Sequence, residues 1–239
     1  MTDLKPVAAA ARDLLIAGND RWLWEHTRRV THAAQGLALL PEVREGGGTP
    51  PDPQTVAVAA LFADAGWAVQ VQRGSIEPWE VLNRPTGDIQ RELGAAALHE
   101  HAVDLLPAGV IETASRAIRE CNEKYTKLPE AQTLREAENL DEIGVLYVLR
   151  QFRRWQHQPG GHSLQDLVAK WRQLLEYSFW ETEINLGLRW EASRQIARAR
   201  LQAVEQFMVA LARDSKASDL HNRLADEGID TSSLFNPPA

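Results

Sequence analysis

The stretch Val56-Ala-Val-Ala-Ala-Leu-Phe-Ala-Asp-Ala-Gly-Trp-Ala-Val69 is apolar at every position except Asp64 and Gly66. A helix that is apolar on all sides belongs in an interior, so the segment predicts the centre of a core, carried on a helix over 53–71. It also places one carboxylate there. An ionised carboxylate in such surroundings is costly unless it is paired, hydrogen-bonded or bound to a metal. Asp64 therefore either faces a cation, or sits near the end of the helix, where Gly66 permits a turn and the carboxylate meets backbone donors or water.

Outward from this segment, most windows repeat apolar residues at helical spacing, and alternating strand-type runs are scarce. The periodicity predicts helices over 6–17, 19–40, 53–71, 87–106, 109–123, 131–156, 164–187 and 190–213, with a weaker one near 216–227. Asp52 before Pro53 has the form of an N-cap followed by proline in the first turn, and Ser163 with Asp166 has the spacing of a capping box. Two loops interrupt the pattern. Glu45 to Pro51 carries three glycines and reads as a flexible surface connection. Arg73 to Thr86 contains Gly74, Pro78 and Pro85 around Trp79, and either covers a pocket or is a surface loop pinned by a buried tryptophan.

The chain has 239 residues, 44% hydrophobic and 25% charged, the balance of one globular domain. The organisation expected is an N-terminal helix (1–18), a core (19–156), C-terminal helices packed on it (157–215), and a short helix with a tail (216–239). With 26 basic and 33 acidic residues the net charge is −7, which disfavours wrapping by a nucleic-acid polymer or adhesion to an anionic membrane, while leaving room for a small anion in a locally basic pocket. A lone cysteine, Cys121, excludes an internal disulfide and any multi-thiolate zinc site. No run reaches the roughly 18 uninterrupted apolar residues of a membrane span, and the expected location is the cytoplasm.

Two further polar insertions accompany Asp64. In Trp22-Leu-Trp-Glu-His-Thr-Arg-Arg-Val30, Trp22 and Val30 lie one turn either side of His26 and place its imidazole on an apolar stripe. Alone, such a histidine reads as a hydrogen-bonded core residue as well as a ligand. In Leu134-Arg-Glu-Ala-Glu-Asn-Leu-Asp-Glu-Ile-Gly-Val145, Glu138 and Asp141 share a face with Leu134 and Val145. They either bind something there or lie at the margin of the stripe. His99 and His101, at i and i+2, point in different directions, so at most one could join a site. His32, His157, His162 and His221 read as surface or loop residues.

Taken together, three segments resemble the HD superfamily of metal-dependent phosphohydrolases: His26-Thr-Arg-Arg-Val30, Leu61-Phe-Ala-Asp-Ala-Gly66 and Glu136-Ala-Glu-Asn-Leu-Asp-Glu-Ile-Gly144, in the family's order. Similarity to the nucleotide-pyrophosphohydrolase type extends over roughly residues 19–213. The resemblance implies an all-α, single-domain, multi-helix HD-like bundle. It further implies a divalent metal held by His26, Asp64 and Glu138, with Asp64 also orienting the attacking water. Arg28 and Arg29 either supply positive charge for a phosphate or form a solvated face. Ala63 stands where the family has the histidine of its His-Asp pair, and Glu138 stands for an aspartate. The surviving donors weaken the metal site and favour manganese, magnesium or iron over zinc.

Two functions follow from the resemblance. One is phosphohydrolysis of a nucleotide or small phosphate ester. The other is a catalytically inactive HD-fold protein that binds a ligand or regulates. A third possibility, an interaction scaffold or homodimer, draws on the aromatic residues Trp171, Tyr177, Phe179, Trp180, Trp190 and Phe207, which at helical spacing also suit a core.

Overall fold

Asp52 and Pro53 set the start of the central helix in the computed structural model. The Asp52 carboxylate accepts from the Thr55 backbone N–H at 2.8 Å, and Pro53 fills a first-turn position whose N–H would be unpaired anyway. The residues described are 3–17, 21–46, 48–157 and 162–229, and they form helices with no strand. In chain order these are α1 (Lys5–Ile16), α2 (Arg21–Leu39), α3 (Pro41–Glu45), α4 (Pro53–Phe62), α5 (Ala65–Gln72), α6 (Asp88–Ala102), α7 (Ala108–Glu120), α8 (Pro129–Glu142), α9 (Val145–Gln156), α10 (Leu164–Glu176), α11 (Phe179–Gly187), α12 (Glu191–Asp214) and α13 (Ser218–Asp226). Sequence assignments over 1–2, 18–20, Gly47, 158–161 and the tail Asn236–Ala239 lie outside the described residues.

Helix α4 is the hub. Every residue from Thr55 to Phe62 is buried, and α2, α7 and α8 pack around it. Helix α6 lies against α5 and α7, while α1 covers α2 and α5. Three helices expected to be continuous are broken in two. The stretch 53–71 bends at Asp64, whose backbone (φ −103°, ψ 7°) leaves the helical region before α5 begins. The stretch 131–156 breaks at Ile143–Gly144, where φ of +127° at Gly144 is open only to glycine. The stretch 164–187 breaks at Ser178, in the left-handed region. Periodicity runs through all three breaks because the apolar stripe resumes in nearly the same phase.

The C-terminal helices are clamped to the core by two glutamates. Glu136 of α8, buried at 3% exposure, accepts from the backbone N–H of Arg189 at 2.9 Å and of Trp190 at 3.1 Å. Glu42 of α3 accepts from Glu191 and Ala192 at 2.7 and 3.2 Å. Both carboxylates thus meet the otherwise unpaired N-terminal donors and the positive dipole end of α12. Burial pushes the Glu136 carboxyl up, partly offset by these backbone donors. Trp171 and Trp180 are buried as core residues, whereas Tyr177 stands 72% exposed. Of the described residues, Pro53–Gln72 alone has the length and mean hydropathy, 1.2, of a membrane span, and 78% of that window is buried inside the fold.

Candidate functional site: a charge network beneath an arginine-lined cavity

The bend at Asp64 turns its carboxylate toward α2. Asp64 Oδ2 lies 3.0 Å from His26 Nε2, and Oδ1 accepts from the Thr86 hydroxyl at 2.5 Å. The other imidazole nitrogen, Nδ1, lies 2.7 Å from Asp141 Oδ2. His26 is thus bracketed by two buried aspartates. Burial by itself would lower its pKa, but the hydrogen bonds to Asp141 and Asp64 outweigh that and raise it to about 9. Burial would likewise raise both aspartates; the hydrogen bonds from His26 and the neighbouring positive charges win, and both carboxyls fall well below the usual range. The arrangement is an imidazolium between two carboxylates.

Arginines close the rest of the network. Arg29, half-buried, donates to both Asp141 oxygens at 2.8 and 3.1 Å. Arg150 of α9, brought back by the Gly144 turn, donates to the Asp141 carboxylate, to its carbonyl and to Glu142. Arg91 of α6, 3% exposed, forms a fork on Glu138 at 2.8 and 2.6 Å and reaches the Ala63 carbonyl at 3.3 Å. The Cys121 thiol also donates to Glu138, at 3.2 Å, and burial pushes its pKa up.

Above the network opens a cavity of about 610 Å³. One wall is Leu82–Thr86, from the loop after α5; another is Phe179, Trp180, Glu183 and Gly187 of α11. The loop is therefore both pinned and part of a pocket: half-buried Trp79 stacks on His157 at 4.9 Å, while Leu82–Thr86 line the cavity. Among the lining residues, Arg84, Arg135 and Arg154 make no ion pair within the described residues. The Trp180 indole N–H, in a side chain 4% exposed, has no hydrogen-bond partner among the described residues.

No family model matches this sequence, and no curated protein matches it. The architecture does match a solved one: the crystal structure of a predicted HD superfamily hydrolase from an uncultured Thermotogales bacterium, at a TM-score of 0.55 and 19% identity over 89% of this chain and 93% of that one. The chain has an HD-domain-like fold.

Within the HD-like fold the expected site residues take different places. His26 and Asp64 meet, as the buried carboxylate required of some cation. Glu138 reaches neither: both its oxygens are held by Arg91. Arg29, expected at a phosphate, is turned onto Asp141 and does not line the cavity. His99 and His101 are exposed. The residues present do not fit a divalent cation. Both His26 nitrogens are engaged by Asp64 and Asp141, both Glu138 oxygens are held by the Arg91 fork, and the Arg91 guanidinium lies 3.8 Å from Asp64 Oδ1. Among the described residues, no three His, Cys, Asp or Glu side chains group as a metal would need. Arg91, Thr86 and Arg150 were not anticipated from sequence. Asp141 was, as Glu138's neighbour on the stripe.

Proposed function

We propose that this protein binds a small phosphorylated anion in its cavity without a metal, as a ligand-binding or regulatory version of the HD fold. Charge placement carries the reading. Asp64, Glu138, Asp141 and Glu142 are balanced by His26, Arg29, Arg91 and Arg150. That leaves Arg84, Arg135 and Arg154 against Glu183 around the cavity. Such a surplus attracts a multiply charged anion, and arginine forks suit phosphate oxygens. The test is calorimetric titration with nucleotides and sugar phosphates in excess chelator. Saturable binding that Arg135→Glu removes supports the reading; equal heats from both proteins sink it.

A second reading, metal-dependent hydrolysis of a phosphate ester with Asp64 orienting water, is favoured by the Asp141 carboxylate on His26 Nδ1, an anchor typical of ligating histidines. Manganese-dependent phosphate release that Asp64→Ala abolishes would establish it in place of the first.

A further inference from the structure

A buried aspartate and a half-buried glutamate far apart in sequence, Asp64 and Glu138, flank one position, and a carboxylate there calls for a cation. One side chain answers both. The Arg91 guanidinium spans from the fork on Glu138, at 2.8 and 2.6 Å, to within 3.8 Å of Asp64 Oδ1, and its Nη1 rests on the carbonyl of residue 63 at 3.3 Å. These are the positions at which the family resemblance expects an ion: the aspartate, the remote acidic residue and the residue that should be histidine. A guanidinium and a divalent cation meet the same electrostatic demand, and like charges at this spacing in a low dielectric exclude one another.

The backbone closes in around Arg91. A Cβ added at Gly66 would stand 2.1 Å from the Gln90 carbonyl oxygen, and one at Gly94 would stand 2.5 Å from that of Phe62. Helix α6 therefore approaches α5 at Gly66 and α4 at Gly94, backbone to backbone, on either side of Arg91. Its Nε has no hydrogen-bond partner among the described residues, so Nη1 and Nη2 make the polar contacts that hold the side chain. Ala63 is fully buried and its carbonyl accepts from Nη1; an imidazole at 63 would have to find volume in a packed interior.

We infer that Arg91 is a resident cation standing in for a metal ion, and that the chain keeps a latent metal centre. It opens to an ion preferring oxygen and imidazole donors once Arg91 loses its charge and residue 63 becomes histidine. The inference concerns the base of the cavity and does not rest on anion binding, so failure of the phosphate titration leaves it untouched, and the reverse.

The experiment compares wild type, Ala63→His, Arg91→Ala and the double variant, with manganese ion alone as probe, by calorimetry and thermal melting in phosphate-free buffer. Wild type and Ala63→His are expected to show no stoichiometric binding. The double variant should bind one ion, about 10- to 100-fold more tightly than Arg91→Ala, the factor a well-supported ligand commands, and its melting point should rise with the ion. Stoichiometric binding by wild type overturns the inference, as does a folded double variant that binds no better than wild type. Arg91→Gln, which keeps much of the volume, guards against misfolding. If neither Arg91 variant regains its fold in excess manganese, metal and guanidinium are not interchangeable and the inference fails.

Discussion

The indole N–H of Trp67, a fully buried side chain, donates to the hydroxyl of Thr86 at 2.9 Å. That hydroxyl in turn donates to Asp64, so a loop residue completes both a core tryptophan and the site carboxylate. Thr86→Val keeps the shape and removes the link, leaving two buried polar groups short of a partner. The expected loss is about 1–3 kcal/mol in urea unfolding, largely recovered by Thr86→Ser. Equal stability of the valine variant would show that the hydroxyl is not the bridge.

Stability should depend on pH through His26. Its folded pKa, about 9, exceeds the ordinary 6.5, so between these values the folded state binds more protons than the unfolded one, and stability falls as pH rises. The contribution is complete below 6.5 and gone above about 9. Asp64 and Asp141 act oppositely: their depressed values lend stability above the ordinary 3.8 that is lost on acidification. Denaturant midpoints across this range should fall at both ends, and His26→Asn should flatten the alkaline side. An unchanged slope in that variant would assign the loss elsewhere.

The α5–α6 approach predicts contrasting glycine variants. Gly66→Ala drives a methyl group into the Gln90 backbone and should cost about 3 kcal/mol or more, displacing Arg91 with the helix. Gly36→Ala, on an exposed turn of α2 with open space around it, should stabilise by about 0.5–1 kcal/mol. Thermal melts of the two proteins report both signs.

Arg135 should matter to binding and not to folding. It is half-buried, lines the cavity and has no ion pair among the described residues. Charge reversal to glutamate is expected to leave the melting point nearly unchanged and to weaken phosphate binding at least tenfold, about 1.4 kcal/mol. Added salt should shrink the difference. A drop in melting point matching that of a core variant would give Arg135 a structural role instead.

How much of this was legible in the sequence varies residue by residue. Asp64 declared itself because it is the lone charge in an apolar run, and His26 because its stripe is otherwise apolar. Arg91 did not: in Asp88-Ile-Gln-Arg-Glu-Leu-Gly94 it looks like an ordinary solvated charge, and it is buried only because two glycines in different helices let the backbones close on it. Thr86 lies in a loop without periodicity. Glu138 and Asp141 share one face, and which of them meets His26 depends on the rotation of α8 against α2, which spacing cannot fix. The all-helical architecture was legible, and a helix end near Asp64 was one of two readings of that residue; the breaks at Gly144 and Ser178 were not, since a stripe that keeps its phase conceals a bend.

The cavity wall of Phe179, Trp180 and Glu183 belongs to helices fastened to the rest by Glu42 and Glu136 at the start of α12. Charge and contour are consequently written in separate stretches of the chain. If the cavity binds the anion proposed for it, substitutions in α11 will retune which molecule fits while the ionic floor stays fixed, and weakening either glutamate's hold on α12 will loosen selectivity from a distance.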